Sequence, residues 1–140
     1  MAYGAIARDP ATPYLVYAFV WRGKVFYVGL AQARSTRHTH RWSFVANLLR
    51  HERAGTLKED KRRELVRKSN AVLAELQRAG LEKHEVHVLW EGIGRAACEV
   101  EEARHIREHL AAGCVLANVS GGGGASVRDV LAYLGARREA

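Results

Sequence analysis

The sequence predicts an α+β fold, a small antiparallel three-stranded sheet flanked by helices, and three observations lead there. Two runs rich in β-branched and aromatic residues, 14–21 (YLVYAFVW) and 25–29 (VFYVG), stand on either side of Arg22-Gly23-Lys24, as the strands of a tight hairpin do. A third run, 85–90 (EVHVLW), alternates as a strand does. The remaining segments carry apolar residues at helical spacing. The order hairpin, helix, helix, strand, helix is one in which helices cover an antiparallel sheet.

Residues 1–13 read as an irregular arm, because Pro10 and Pro13 interrupt regular structure. After the hairpin and the polar stretch AQARST, a helix is expected over 37–54. Phe44, Val45, Leu48 and Leu49 share one of its faces, Arg37 and Arg41 lie on or beside that face, and Gly55 stops it. A second helix is expected over 59–79, with Leu65, Val66, Leu73 and Leu76 as its stripe and Gly80 as its stop. Its basic first half reads first as a solvated face. A third is expected over 95–112, burying Val100, Ala103, Ile106 and Leu110. Residues 115–119 read as a short strand, followed by glycines at 121–124 and a closing helix over 126–136 capped by Ser126. The organisation is therefore an arm (1–13), one domain (14–124) and a C-terminal helical segment (125–140) packed on that same domain.

The bulk numbers narrow the function. The chain has 140 residues, 48% of them apolar, which suits one domain with one core. Lys and Arg number 22 against 15 Asp and Glu, a formal charge of +7, and such an excess favours a polyanionic partner. Two distant cysteines, Cys98 and Cys114, argue against a disulfide framework and for a reducing compartment. No apolar run approaches the ~20 residues that span a bilayer. The first residues lack the basic-then-apolar order of a signal peptide. The expectation is a cytoplasmic protein with no membrane partner.

Chemistry is concentrated at a few positions. Tyr17 and Tyr27 sit ten residues apart on the two hairpin strands; as strand aromatics they either pack in the core or face a cleft. Arg37 opens the first helix on its apolar side, where an arginine either snorkels or binds an anion. Glu102 lies at the edge of the buried face of the third helix, either as an ordinary boundary residue or as a ligand for a hard cation. Asn118, before the glycines, either forms a turn or holds a neighbouring residue in place.

In this order the residues resemble the GIY-YIG nuclease superfamily. Leu15-Val16-Tyr17 stands where GIY falls and Tyr27-Val28-Gly29 where YIG falls. Arg37 follows Gly29 by eight residues, Glu102 and Ile106 match the ExxxI helix signature, and LANVSGGGG, with Asn118, matches the closing element. The resemblance covers residues 14–124 and implies a phosphodiester-cleaving endonuclease acting on nucleic acid, with DNA as the expected form. It implies Tyr17 and Tyr27 at the attacking water, Arg37 on the phosphate charge, Glu102 as ligand of one Mg²⁺ or Mn²⁺, and Asn118 ordering the glutamate side. This chain departs from the pattern at Leu15 and Val16, at Leu30-Ala31 after the second motif, and at Arg41, where a histidine or tyrosine helper commonly lies. His38 and His40 are alternative helpers, and Arg34 with His38 is an alternative pair. The departures motivate a second expectation, a catalytically inactive nucleic-acid-binding module of the same fold. A third is a protein-interaction domain whose charge is incidental.

A competing pattern is HxxEH at 105–109, the inverted zinc-peptidase signature. It needs a downstream glutamate ligand, and Glu139 at the tail is the only glutamate after His109. A chance match of a short pattern is the simpler account.

Overall fold

The computed structural model describes residues 11–118 and 124–136. Within them the fold is α+β. A three-stranded sheet is made of β1 (Pro13–Trp21), β2 (Lys24–Gln32) and β3 (Glu85–Ile93). The order is β2-β1-β3 and both pairings are antiparallel. A 3-10 turn (Arg37–His40) leads into α1 (Arg41–Ala54), followed by α2 (Glu59–Leu65), α3 (Lys68–Arg78), α4 (Arg95–Ala111) and α5 (Val127–Leu134). No helix among the described residues is long and apolar enough to cross a membrane.

The sheet separates two apolar layers. Leu15, Phe19 and Trp21 of β1 pack with Leu48 of α1, Leu73 and Leu76 of α3, and Val130 and Leu134 of α5. Tyr14 and Val16 face the other way and pack with Val28, Cys98, Ile106 and Leu116, under α4. The C-terminal helix thus belongs to the main core, and Ser126 caps it in a reciprocal box with Asp129. Arg22 and Gly23 both take positive φ, 48° and 79°, the backbone that matches a two-residue hairpin turn to the strand twist. Both cysteines are free thiols.

Several expectations need correcting. The first helix begins at Arg41, so Arg37 lies on the preceding 3-10 turn. The expected helix over 59–79 is two helices. Arg67 is extended, with ψ 139°, and the Asn70 side chain donates to the Glu64 carbonyl at 2.7 Å, replacing a bond the continuous helix would have made. Val66, expected in the stripe, is 69% exposed at that break. The buried face of α4 is rotated from the expected one. Val100 is 66% exposed while Cys98 and Ile106 are buried, because a thiol is an apolar side chain that buries as readily as valine. Residues 115–118 form no strand; a single backbone bond, from Ala117 N–H to the Phe26 carbonyl at 2.7 Å, ties them to β2. Position 119 and the glycines at 121–123 lie outside the described residues.

Two irregularities in the sheet flank Tyr17. The β1–β2 register shifts between Phe19 and Val20, leaving Phe26 without a partner, and the β1–β3 register shifts between Val16 and Tyr17, leaving Leu89 without one. The first bulge puts Phe26 and Tyr27 on the same side of the sheet, and such bulges re-aim side chains.

Candidate active site

Tyr17 and Tyr27 come together on the sheet face that carries α1 and α3. Tyr17 pairs with Gly29 across the hairpin, which sets Tyr27 diagonally beside it. The two rings stand 6.1 Å apart. Gly29 makes this possible. A Cβ there would lie 2.7 Å from the Tyr17 hydroxyl and 2.8 Å from the Tyr27 ring, well inside contact distance. The glycine is thus a matter of room for two rings rather than of turn geometry.

Two hollows open on either side of the pair. The first, about 370 Å³, is lined by Tyr14, Tyr17, Arg37, His38, Arg41 and Arg95 among others. Tyr17 is buried, and burial pushes its hydroxyl well above the ordinary tyrosine range; the Tyr27 hydroxyl adds to this, while Arg41 opposes it. His38 stacks on Tyr17 with ring centroids 4.7 Å apart. Its Nδ1 is buried with no partner among the described residues, and burial, then Arg41 and His40, hold it below the usual histidine range.

The arginines are not equivalent. Arg37 is exposed at the rim, and its side chain makes no hydrogen bond or ion pair to a described residue. Arg34 is exposed and lines neither hollow. Arg41 is half-buried and anchored: its guanidinium donates to Ser69 Oγ at 3.2 Å and to Asn70 Oδ1 at 3.0 Å. It also lies over the Phe19 ring. Its charge is the one that acts on Tyr17. Sequence reading placed Arg41 on or beside the apolar face of the first helix and as a departure from the expected helper. The signal that points to it is the polar pair Ser69-Asn70 inside an apolar stripe, buried because Arg41 uses it.

The second hollow, about 180 Å³, is lined by Tyr27, Arg67, Lys68, Glu102, Ile106 and Asn118 among others. The helix break at 66–67 is what brings Arg67 and Lys68 here. Glu102 occupies the stripe Cys98, Glu102, Ile106, each four residues on, so it belongs to the buried face itself rather than to its edge. The other glutamates of α4 are paired along the helix: Glu99 with Arg95, Glu101 and Glu108 with Arg104. Glu102 has no hydrogen bond or ion pair to a described residue. Burial raises its carboxyl above the usual range, with Glu99 adding and Arg95 opposing. Asn118 does not reach the glutamate by a hydrogen bond. Its amide accepts from Val28 N–H at 3.1 Å and donates to the Val28 carbonyl at 2.6 Å. It acts as a one-residue strand partner on the β2 edge, fixing the backbone between Tyr27 and Gly29.

The five residues expected at one site are divided between two hollows that the tyrosine pair separates. Tyr17 and Arg37 line one side, and Tyr27, Glu102 and Asn118 the other. His105 and His109 take no part. His109 Nδ1 donates to the His105 carbonyl at 2.6 Å, as one turn of a helix binding itself, and no group of three metal-ligating side chains exists among the described residues. Compared with family models, curated proteins and solved structures, the chain finds no match.

Proposed function

We propose that this chain is a metal-dependent endonuclease that hydrolyses phosphodiester bonds of nucleic acid, DNA in the first instance. The observation that carries the reading is Glu102, a half-buried carboxylate with no ion pair or hydrogen bond to a described residue, set across the tyrosine pair from an anchored arginine. A lone carboxylate of this kind suits a hydrated Mg²⁺ or Mn²⁺, which needs only one or two protein oxygens. When bound, such an ion supplies Lewis-acid stabilisation of charge on the leaving oxygen.

The chain's own residues would do the rest. Arg41, held by Ser69 and Asn70, presents a fixed guanidinium toward the charge that builds on the phosphate, a preorganised electrostatic role. Arg37 adds charge at the rim and draws in the strand. Tyr17 keeps its proton in the resting protein, so it holds the attacking water by hydrogen bonding; it would act as a base only after positive charge around it had driven its own proton to solvent, the phenolate then taking one proton from the water. Tyr27, less buried, orients the same water. Asn118 keeps β2, and with it Tyr27, in register. Arg67 and Lys68 meet the backbone phosphates on the glutamate side.

Nicking of supercoiled plasmid in Mg²⁺ tests this. Cleavage is expected, and Tyr17→Phe and Glu102→Gln are expected to abolish it while leaving binding intact. The burial that holds Tyr17 protonated favours one alternative, an inactive nucleic-acid-binding module. Tight, salt-sensitive binding without cleavage of duplex, single-stranded or branched substrates, in both Mg²⁺ and Mn²⁺, would establish that alternative.

A further inference from the structure

A third cavity adjoins both hollows and shares three arginines with them. It measures about 310 Å³ and is walled by Arg37, Arg41, Phe44, Glu64, Arg67 and Asn70 among others. Arg37 and Arg41 also line the Tyr17 hollow, and Arg67 also lines the Glu102 hollow. The cavity thus touches both sides of the cleft through shared arginines. It is larger than a phosphate group needs and falls at the lower end of the roughly 300–1,000 Å³ that small-ligand sites span. Its walls are mixed. Three arginines supply planar guanidinium faces, Arg67 being paired with Glu64 at 3.4 Å; Phe44 supplies an apolar surface, Glu64 a carboxylate edge, and Asn70 holds Arg41 and the Glu64 carbonyl in place.

We infer that this cavity takes one unpaired nucleotide of the substrate strand, its base against Phe44 and its phosphate between Arg37 and Arg67. The inference rests on the nucleic-acid reading above and narrows it to substrates with an unpaired nucleotide beside the cleavage position. The chemistry of the wall carries it. Phe44 packs on the main core and has Lys61 Nζ 5.9 Å from its ring centroid, yet it also lines the cavity, and a phosphate alone would not use that surface. A base offers a π face to Phe44 and to guanidinium planes whatever its identity. Glu64, paired with Arg67 at 3.4 Å, offsets part of the charge a bare phosphate would need, and a carboxylate oxygen can also accept from the amino group of a base. A paired base cannot enter without leaving its stack, so an intact duplex would track the arginine rim and leave the cavity empty.

Binding in EDTA tests this without any need for catalysis. The probes are a short single-stranded oligodeoxynucleotide, an abasic strand with the same number of phosphates, and a perfect duplex. The base-bearing strand is expected to bind about tenfold tighter than the abasic one, the scale of one stacked base. Phe44→Ala removes that preference and leaves the duplex affinity and the salt dependence as they were; Phe44→Trp restores it. Equal binding of base-bearing and abasic strands by the wild-type chain overturns the inference, whether or not Phe44→Ala folds. So does a Phe44→Ala loss shared equally by all three probes. Cleavage of plasmid with no base preference in binding leaves the nuclease reading standing and removes this one. Base preference without cleavage does the reverse. Absence of binding to any probe at low salt removes both.

Discussion

On the Tyr17 side of the cleft the most buried charge is Arg41, tied down by Ser69 and Asn70; on the Tyr27 side it is Glu102, which no described residue ties down. The first wall is assembled by the fold. Arg41 has its partners before anything binds, so the arginine is in place at no further ordering cost. The second wall keeps a carboxylate partly desolvated with no ion pair to a described residue, which costs folding free energy. The two walls therefore differ in what a substitution does. On the arginine wall stability and function fall together. On the glutamate wall they separate, because removing the charge relieves the fold and disarms the site.

Glu102→Gln is the largest expected effect and the sharpest form of that contrast. A metal ion contributes several kcal/mol to a phosphoryl-transfer transition state, so cleavage should fall on the order of 10³-fold. Stability should not fall. The carboxyl is raised in the folded chain, so the unfolded chain ionises first as pH rises; stability drops as pH climbs from the ordinary glutamate value through the raised one. The glutamine variant removes that drop. Urea midpoints at neutral pH should be equal to or above those of the wild type. A clear loss of stability with cleavage retained would mean that Glu102 is a structural residue.

Arg41→Ala should act on both quantities. Removing a preorganised charge-stabilising donor costs about 10²-fold in cleavage. Ser69 and Asn70 lose a charged partner in a buried setting, a further loss of about 1–3 kcal/mol in unfolding free energy. Arg41→Lys keeps the charge but not the fork that reaches two acceptors, and should recover stability only in part. If Arg41→Ala left cleavage untouched while a rim arginine proved essential, the anchored wall would be structural alone and the roles of the two arginines would be exchanged.

Gly29→Ala attacks the boundary between the walls. The added methyl meets both tyrosine rings inside contact distance, and neither can retreat freely, since Tyr17 is stacked on His38 and packed beside Phe19. Overpacking of this kind costs about 1–3 kcal/mol. Near-ultraviolet circular dichroism should report the displaced tyrosines. Cleavage should fall about tenfold even though no ionisable group has been removed, because misplacement alone degrades a positioned site. An unperturbed spectrum with full activity would show that the pair does not need its observed spacing.

Much of this was legible in the sequence, and what was not has a common cause. The hairpin, the third strand, the glycine stops at Gly55 and Gly80 and the Ser126 cap follow from local chemistry, and the structure has each of them. The expected grouping of Tyr17, Tyr27, Glu102 and Asn118 rested on the family resemblance; the structure sets the two tyrosines side by side and puts Tyr27, Glu102 and Asn118 on one hollow, with Tyr17 on the other. What stayed hidden depended on one long-range interaction. Ser69 and Asn70 look like poor residues in a helix stripe until Arg41 reaches them across 28 and 29 residues. Asn70 also satisfies the Glu64 carbonyl where the helix breaks, and the break delivers Arg67 and Lys68 to the cleft. No periodicity reveals that, since the apolar pattern of Leu65, Leu73 and Leu76 runs through the break without interruption. Asn118 misled in the opposite sense. It is at the site, but its partner is the backbone of Val28 rather than Glu102.

Arg37→Ala gives the smallest effect and isolates what the rim contributes. The side chain is exposed and unanchored, so its loss should leave stability within about 0.5 kcal/mol. It supplies one positive charge to a polyanion without fixed geometry. Binding should therefore weaken by a few-fold, equally for all sequences, and the slope of log affinity against log salt should shrink by about one phosphate contact. The maximal rate at saturating substrate should be nearly unchanged, because a contact made equally in ground and transition states alters binding and not turnover. Arg41 should show the reverse, a loss of rate larger than its loss of binding. If Arg37→Ala lowered turnover as steeply as Arg41→Ala, the rim arginine would have to move inward when substrate binds, and the distinction between an anchored and a mobile arginine would describe only the free protein.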